Sequence, residues 1–519
     1  MNALGQGGPP PTAARPQDRA VDWIARRWFT ASGALVAEAA AGLEPLTVFR
    51  HASGLKHSLF LDSAAVDRPD DDVGTLRLGR FSFVTGDPIH SVALAPGTDP
   101  AQDASAVTAA FGGLRGLLRE LACPTIPGLP PFQGGVAGLV SYECGLTRLG
   151  LAPPATRATA VPMLSLHAYD VVFAYDHDLG RGWFISQGLP ATGPEARRIR
   201  GAARLAAWLA AEPVPHDGAS SQPMPAATAA IRHPLPGHPL VRSTHSRDAY
   251  CDMVRAAIEL IRAGDIFQVN LAQCLAVEAA IDPVELHLRA RTVNPAPFAC
   301  FFDTGTAAIA SMSPERFLQA ARGDVRTHPI KGTRRVISSP EADLFAGDDL
   351  QASAKDRAEN VMIVDLLRND LSRVCTPASV RVEALCRLER YRYVQHLVSV
   401  VAGRLRPGLG VLDALEAAMP GGSVTGAPKH RACEIISAFE PVAREAYCGS
   451  IGYVGFDGTA DFNLLIRTFV TAQGRITFSA GGGVTAASDP AAEHAESLHK
   501  AEGMLRVLES LGIGSGAES

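Results

Sequence analysis

The second half of the chain alternates stretches of helical periodicity with β-rich runs, and this alternation limits the possible folds more than any other feature. The helical periodicity covers residues 250–262, 354–371, 411–418, 429–439 and 491–511. The β-rich runs cover residues 267–276, 298–311, 449–456, 464–471 and 476–480. The first half adds an amphipathic segment at 21–41 and many short strand-like runs. Together these patterns predict an α+β fold.

Shifts in composition along the 519 residues predict four parts. Residues 1–20 are rich in Pro, Gly and Ala without an apolar run, which is typical of a disordered tail. Residues 213–240 are dense in Pro, Ala, Gly and Ser and predict a linker. An N-terminal domain at 21–212 and a second domain at 241–512 remain, and the second carries most of the candidate site residues.

The charge balance and the cysteines exclude several classes of function. The formal charge of −5 comes without a stripe dense in Lys and Arg, so neither nucleic acid nor an anionic membrane is expected as a partner. No apolar run reaches the roughly 18 residues of a membrane span. The nine cysteines are scattered without a CxxC pair, which fits a reducing cytoplasm and excludes a disulfide framework. A small-molecule substrate is expected.

A triple-glycine turn near the end of the chain leads into a helix with strong start signals. Asp489 is expected to cap this helix, and Pro490 is expected at its first position. Glu493, Glu496 and Lys500 then share one face, where carboxylates could bind a hard cation and the ammonium could bind an anion. The alternative is a solvated ion pair between Glu496 and Lys500, four residues apart.

A second glycine-rich turn, PGGSVTGAPK, also leads into a helix. Backbone N–H groups at Thr425 and Gly426 could bind a carboxylate there. Glu359 begins the helix of ENVMIVDLLRNDLSRV. It is a candidate metal ligand, although a glutamate at a helix start is also a common surface residue that the helix dipole favours.

Four further residues stand in strand or turn contexts. Glu315 lies in SPERF, and Lys331 lies in PIKGT. Lys331 would be a nucleophile only if desolvation or a cationic neighbour lowered its pKa, whereas such lysines are usually solvated. His396 lies in an apolar run and could be a core histidine. Arg467 follows three apolar residues in an expected strand and should pair with a carboxylate.

In their order and wording, these motifs resemble the chorismate-utilising enzyme family, which includes the large subunits of anthranilate synthase and of aminodeoxychorismate synthase. The matching segments are FLDS, LGRFSF, GDIFQVNLAQ, NPAPFACFF, SPERF, PIKGTRR, ENVMIVDLLRNDLSRV, HLVS, PGGSVTGAPK, GSIGYVGFDG, NLLIRT and AGGGVTAASDPAAEHAES. The resemblance implies an anthranilate synthase component I-like fold of packed, mainly antiparallel β-sheets flanked by helices.

Three local features favour the aminodeoxychorismate branch of this family. Lys331 stands where the anthranilate branch usually has Ala, and QVNLAQ and NPAPF resemble the aminodeoxychorismate branch. The alternatives are an anthranilate synthase large subunit, an isochorismate synthase that would use water, and a non-catalytic regulator that binds an amino acid.

The resemblance also implies a mechanism. Glu359 and Glu496, supported by Glu493, would hold Mg²⁺ against the ring carboxylate of chorismate. Lys331 would add to ring carbon 2 while the hydroxyl at carbon 4 leaves with a proton from Glu315. Ammonia would then enter at carbon 4 and expel the lysine. The product would be 4-amino-4-deoxychorismate, a precursor of p-aminobenzoate and folate.

The family pattern implies roles for further residues. Arg467 and Tyr453 would hold the enolpyruvyl carboxylate. His396 would orient the substrate, and Thr425 would form a hydrogen bond near the reacting carbon. The substrate anions would also be oriented by Lys500, Gly426, Gly482 and Gly483.

The ammonia source and an amino-acid pocket complete the expectations. None of the nine cysteines lies in a GxCxGxQ-like turn, so a separate glutamine amidotransferase subunit should supply ammonia. In the first half, Leu61, Asp62 and Ser63 partly match the strand that forms an amino-acid pocket in this family, which binds tryptophan in the anthranilate branch. Ordinary strand pairing in the core is the alternative for these three residues.

Overall fold

The computed structural model describes residues 23–64, 78–97, 99–212, 225–335, 340–390 and 394–513. The expected tail at 1–20 lies outside these residues, as does the first part of the expected linker, 213–224. The second part of that linker is structured. It contains a short helix and a β-hairpin that joins the edge of a large sheet.

The first half of the chain contributes nine of the described strands. They are β1 (Ile24–Phe29), β2 (Leu35–Ala39), β3 (Leu59–Asp62), β4 (Phe81–Thr85), β5 (His90–Leu94), β6 (Gly135–Val140), β7 (Leu164–Tyr169), β8 (Val171–Asp176) and β9 (Arg181–Ser186). The amphipathic segment at 21–41 therefore forms the hairpin of β1 and β2, which turns at Thr30–Gly33, where Gly33 has φ 90°. This φ favours glycine because it has no Cβ.

The second half contributes the remaining described strands. They are β10 (His233–Leu235), β11 (His238–Ser243), β12 (Gln268–Glu278), β13 (Phe298–Asp303), β14 (Ala308–Ser313), β15 (Arg316–Ala321), β16 (Asp324–Thr327), β17 (Ile330–Arg335), β18 (Arg381–Arg390), β19 (Val394–Arg404), β20 (Gly426–Ala427), β21 (Ser450–Gly455), β22 (Ala460–Asn463), β23 (Thr468–Ala472) and β24 (Arg475–Val484).

Twelve helices are found among the described residues. They are α1 (Pro45–Ala52), α2 (Pro100–Glu120), α3 (Tyr142–Arg148), α4 (Pro194–Ala210), α5 (Pro225–Ala230), α6 (Arg247–Arg262), α7 (Pro283–Val293), α8 (Pro340–Ala352), α9 (Ala354–Ser372), α10 (Val411–Ala418), α11 (Lys429–Phe439) and α12 (Pro490–Ser510). Side-chain caps begin several of them: Ser353 accepts from the N–H of Asp356 in α9, and Asp489 accepts from that of Ala492 in α12. None of the helices in this part of the chain has both the length and the apolar character that a membrane crossing needs.

Both halves of the chain build both sheets. The larger sheet has the order β1-β2-β9-β8-β4-β3-β13-β14-β23-β24-β12-β11-β10, with β20 paired to β12. The smaller sheet has the order β17-β19-β16-β15-β22-β21-β6-β7-β5, with β18 paired to β19. The halves meet where β3 pairs with β13 and where β6 pairs with β21, both antiparallel. The expected boundary at 213–240 thus divides the sequence but not the sheets.

The two sheets pack face to face, and helices cover their outer faces. One buried cluster between the sheets joins Val36 and Phe83 of the larger sheet to Leu139 and Ile451 of the smaller. On the outer face of the larger sheet, α7 and α12 cover the second half, while α1 and α4 cover the first. This is the α+β arrangement of packed antiparallel sheets flanked by helices that the sequence predicts.

Candidate active site

One cavity of about 1190 Å³ opens where α9, α12, β17 and β19 meet the two glycine-rich segments, residues 420–429 and 481–483. Many of the residues singled out in the sequence line it: Glu315, Lys331, Glu359, His396, Arg467, Gly483, Glu496 and Lys500. These side chains come from segments almost 200 residues apart, which only the folded sheets bring together.

Lys331 reaches the cavity from β17, which pairs with β19. Its Nζ donates a 3.1 Å hydrogen bond to the carbonyl oxygen of Ser423 in the PGGSVTGAPK turn. Burial lowers the pKa of Lys331, the charge of Lys500 lowers it further, and nearby carboxylates, first Glu359, oppose the shift. A lowered pKa increases the neutral fraction of the amine, which is the form that can attack carbon.

Glu315 lies beside Lys331 and shares Ser423 with it. The Ser423 hydroxyl donates a 2.8 Å hydrogen bond to Oε1 of Glu315. Glu315 is buried, and burial raises its pKa to about 7 although the Ser423 hydrogen bond and Lys331 lower it. Near neutral pH this carboxyl can therefore give or accept a proton.

The glycine-rich turn lines the cavity with Ser423 and Val424, whereas Thr425 and Gly426 are not among the lining residues. The Thr425 hydroxyl donates to the carbonyl of Gly421 at 2.9 Å, so its local partner is the turn itself. Gly426 has φ 152°, and a Cβ there would lie 2.2 Å from the carbonyl oxygen of Gln268. Only glycine fits this close strand contact.

The three glycines 481–483 do not form the expected turn; they lie in strand β24, paired with β12, and face the acidic side of α12. Lys500 Nζ lies 2.8 Å from Glu496 Oε1 and donates to the carbonyl of Gly481 at 3.0 Å. A Cβ on Gly482 would lie 3.0 Å from Glu493 Oε2 and 3.7 Å from Glu496 Oε1. The predicted helix face is therefore present, and the Glu496–Lys500 ion pair lies at the cavity.

The three glutamates differ in their electrostatic surroundings. Burial raises the pKa of Glu359 and that of Glu493, and the charge of Glu496 raises both further. Burial would also raise the pKa of Glu496, but Lys500 lowers it overall.

Across the described ranges, no three His, Cys, Asp or Glu side chains converge as a metal-binding group. Mg²⁺ needs only one or two carboxylates, because waters and substrate oxygens complete its shell. The donor chemistry of Glu359 and Glu496 therefore fits this ion.

His396 and Arg467 stand together at the cavity. His396 is buried in β19, and burial, followed by the charge of Arg467, lowers its pKa to about 4. Arg467 does not lie in a strand as expected; it lies just before β23 with φ 52°. The guanidinium has no hydrogen bond or ion pair to any described residue, and burial lowers its pKa. This unpaired cation can bind a carboxylate.

Tyr453 does not reach the cavity. It lies in β21 between the sheets, where its ring stacks on Phe132 with centroids 4.5 Å apart and meets the edge of Phe83. Tyr447 lines the cavity instead, and the guanidinium of Arg444 lies 5.6 Å from the centre of its ring. Tyr447 was not predicted from the sequence as a site residue, although it stands in the same segment, YCGSIGY, six residues before Tyr453.

Leu61, Asp62 and Ser63 lie at the end of β3 and are not among the residues that line the cavity. Asp62 is buried and accepts a 2.8 Å hydrogen bond from Arg291 Nε. The Ser63 hydroxyl donates to the carbonyl of Phe81 at 2.7 Å, and Leu61 pairs with β4 and β13. These contacts are those of ordinary strand pairing, and an amino-acid pocket here stays a prediction.

Comparison with known proteins shows the family of this chain. The family profile described as "chorismate binding enzyme" matches residues 84–506. The chain is 40% identical over 380 residues to aminodeoxychorismate synthase component 1 of Klebsiella aerogenes, covering 73% of this chain and 78% of that protein. It is 39% identical over 396 residues to anthranilate synthase component 1 of Streptomyces coelicolor, covering 76% of each.

The fold has close counterparts among solved structures. Anthranilate synthase component I from Streptococcus pneumoniae aligns with a TM-score of 0.66 and 28% identity, over 84% of this chain and 95% of that one. The menaquinone-specific isochorismate synthase of Escherichia coli shares the fold, with a TM-score of 0.66 at 17% identity, over 92% of this chain and 94% of that one.

The fold and the cavity thus define an enzyme with an anthranilate synthase component I-like architecture. The chain belongs to the chorismate-binding enzyme family and is a chorismate-utilising enzyme. Relatives that make aminodeoxychorismate and relatives that make anthranilate are similar to it to nearly the same degree.

Proposed function

We propose that this chain is the large subunit of an aminodeoxychorismate synthase, which converts chorismate and ammonia to 4-amino-4-deoxychorismate. The observation that carries the proposal is the contact of Lys331 and Glu315 with one residue, Ser423, inside the cavity. This contact supports an amine nucleophile and a proton donor that act on the same ring. An enzyme that added ammonia directly to the ring would not need the amine.

The first step forms a covalent intermediate. The neutral Nζ of Lys331 bonds to ring carbon 2, both ring double bonds shift, and the bond from carbon 4 to its hydroxyl breaks. Glu315 gives the departing hydroxyl its proton, so that water leaves, and the resulting carboxylate takes the proton released by the new secondary amine. The pKa of about 7 at Glu315 suits both transfers.

The second step reverses the shifts of the double bonds. Ammonia bonds to carbon 4, the bond between carbon 2 and Nζ breaks, and the lysine leaves as a neutral amine with a proton returned by Glu315. The Glu315 carboxylate then takes a proton from the ammonium group formed at carbon 4. Chorismate thereby loses one water and gains one ammonia overall. His396, neutral because its pKa is about 4, borders the ring site without adding charge and would orient the substrate.

Arg467 would hold the enolpyruvyl carboxylate, since its guanidinium is unpaired among the described residues and Tyr447 lines the same cavity. Glu359 and Glu496 would hold Mg²⁺ near the ring carboxylate, with Glu493 behind them. Bound there, Mg²⁺ would withdraw electron density from the ring as a Lewis acid. Lys500 would keep Glu496 in place through their 2.8 Å ion pair.

Ammonia would come from a glutamine amidotransferase subunit. A glutaminase needs an activated cysteine, yet none of the nine cysteines of this chain lies in a GxCxGxQ-like turn. Burial also raises the pKa of the Cys144, Cys274, Cys300 and Cys448 thiols to about 12, which disfavours the reactive thiolate.

The decisive experiment incubates the purified chain with chorismate, Mg²⁺ and ammonium, and identifies the product by mass. We expect a non-aromatic amine that yields p-aminobenzoate after addition of a pyruvate-eliminating lyase. Direct appearance of fluorescent anthranilate would instead assign the chain to the anthranilate branch, and isochorismate would show that water is the nucleophile.

The Lys331→Ala variant tests the covalent route. Turnover with ammonium should fall strongly, though not necessarily to zero, because ammonia could attack the ring directly. Mass spectrometry of acid-quenched wild-type protein with chorismate and no ammonia should show an adduct that this variant lacks. Equal turnover of the variant and the wild-type chain would contradict the role of Lys331.

A further inference from the structure

Asn270, a residue that lines the cavity, carries a buried and unpaired hydrogen-bond acceptor. It lies on β12, lines the cavity and is 9% exposed. Its side-chain oxygen Oδ1 is buried and has no hydrogen-bond donor among the described residues. Because a buried acceptor without a donor is costly, such an oxygen at a substrate cavity indicates that a ligand supplies the donor.

The backbone of Asn270 is bonded to the turn that holds Lys331 and Glu315. Its N–H donates to the carbonyl of Thr425 at 2.7 Å, two residues after Ser423. Its own carbonyl accepts a 2.8 Å hydrogen bond from Arg444, and its strand partner is Gly483 of β24. The residue with the unpaired acceptor is therefore bonded to the same turn that contacts the proposed nucleophile and the proposed acid.

The charge of the cavity limits what this acceptor can bind. Arg467 and Lys500 are cations at the cavity and can pair with the two carboxylates of chorismate, and the glutamates can bind a cation. Ammonia differs because it is neutral, donates N–H bonds and must keep its lone pair free to attack. A carboxylate would instead stabilise ammonium, whose lone pair is protonated, whereas a neutral amide oxygen favours the charged form much less.

We propose that Oδ1 of Asn270 accepts a hydrogen bond from ammonia and holds it for attack on the ring. This role rests on the proposed function, since it requires ammonia as co-substrate. It makes Asn270 a residue for nucleophile binding, distinct from the residues that bind chorismate.

The test measures KM for ammonium and KM for chorismate separately, with the purified chain and Mg²⁺. In Asn270→Leu the amide is lost at similar size, so KM for ammonium should rise about tenfold while KM for chorismate stays within about twofold. Asn369→Leu makes the same chemical change on the exposed side of α9 and should alter neither value. A parallel rise of both KM values, or no rise for ammonium, would overturn the proposal.

A second variant separates the role in binding from a role in packing. Asn270→Asp keeps an acceptor of the same shape but adds charge, so KM for total ammonium should stay near the wild-type value while kcat falls, because the carboxylate holds the protonated form. A rise in KM for ammonium as large as that of Asn270→Leu would overturn the proposal. If Asn270→Leu fails to fold, Asn270→Ala removes the same acceptor and provides the comparison.

The test of Asn270 and the test of the proposed function can fail independently of each other. Formation of anthranilate by the wild-type chain would contradict the proposed function, yet that reaction also consumes ammonia, so the two KM values would still test Asn270. Chorismate consumption that does not depend on ammonium would overturn the role of Asn270 directly.

Discussion

The hydroxyl of Ser423 donates a 2.8 Å hydrogen bond to Glu315, and the carbonyl of the same serine accepts one from Lys331. The turn in PGGSVTGAPK therefore holds the proposed acid and the proposed nucleophile at once. Because the serine hydroxyl bonds the charged form of Glu315, it also lowers the pKa that burial raises.

Ser423→Ala should weaken catalysis and shift its pH dependence. The variant keeps the carbonyl that binds Lys331 but loses the donor to Glu315, so the pKa of Glu315 should rise above about 7. We expect kcat to fall about tenfold, as the loss of a hydrogen bond to a charged group implies. The limb of the pH profile that reports Glu315 should move to higher pH. Ser372→Ala on the surface is the control. A pH profile that does not shift in Ser423→Ala would contradict the effect of Ser423 on the pKa of Glu315.

The rate of adduct formation without ammonia should be bell-shaped in pH. Lys331 attacks only when neutral, so the rate rises with pH until its lowered pKa is passed. Glu315 gives a proton only when protonated, so the rate falls as pH rises through about 7. In Glu315→Gln the descending limb should vanish, and the rate should drop about 100- to 10,000-fold. Rapid quench and mass spectrometry measure both; a descending limb that persists in the variant argues against Glu315 as the acid.

A buried ion pair joins the helix of Glu359 to the helix after the glycine-rich turn. Lys429 Nζ lies 2.7 Å from Asp370 Oδ2 and donates to the carbonyl of Ala418 at 2.8 Å. Lys429→Met leaves the Asp370 carboxylate buried and unpaired, which should lower the free energy of unfolding by about 3–5 kcal/mol. The double variant Lys429→Met, Asp370→Leu should recover most of the lost free energy of unfolding.

Urea unfolding followed by circular dichroism measures these changes. The exposed pair of Asp365 and Arg368 on the same helix provides the control, since Arg368→Met should cost less than about 1 kcal/mol. Equal costs for the buried and exposed pairs would show that the Asp370 carboxylate is not left unpaired in the Lys429 variant.

His287 should make the fold sensitive to acid. It is fully buried among Phe49, Phe60 and Phe301, and burial lowers its pKa to about 3. The pKa of His287 in the folded chain lies below the unfolded value of 6.5. The neutral ring therefore contributes stability that is fully present above pH 6.5 and is lost as pH falls towards 3. Between pH 7 and 5 the loss amounts to about 2 kcal/mol.

His287→Phe removes this titration and keeps a ring in the aromatic cluster. Between pH 7 and 5 the wild-type chain should therefore lose about 2 kcal/mol more of its free energy of unfolding than this variant loses. His430→Gln, at an exposed position, is the control. The same loss in the wild-type chain and in the His287→Phe variant, seen by urea titration at each pH, would mean that other groups cause the acid sensitivity.

Local signals in the sequence predicted much of the second half. Helices α10 and α11 have the bounds that their periodicity indicates, and Asp489 caps α12 as expected, because apolar spacing and caps depend only on neighbouring residues. The hairpin at 21–41 was missed because an amphipathic pattern over so short a stretch does not exclude two strands.

Non-local pairing explains what the sequence could not predict in the site. The inward direction of Tyr453 follows from the register of β21 against β6, a strand more than 300 residues earlier, whereas Tyr447 in the preceding loop reaches the cavity. The unpaired oxygen of Asn270 is visible only once the neighbours of β12 are known.

The junctions at β3–β13 and β6–β21 bear on how this enzyme can be divided. A protease cut within 213–224 would sever the backbone but leave the inter-strand hydrogen bonds of both junctions intact, so the two pieces should remain associated. Conversely, removal of either piece would bare strand edges on the other, which invites aggregation. Fragment complementation, rather than transfer of one half into a relative, is the form of modular engineering that this architecture allows.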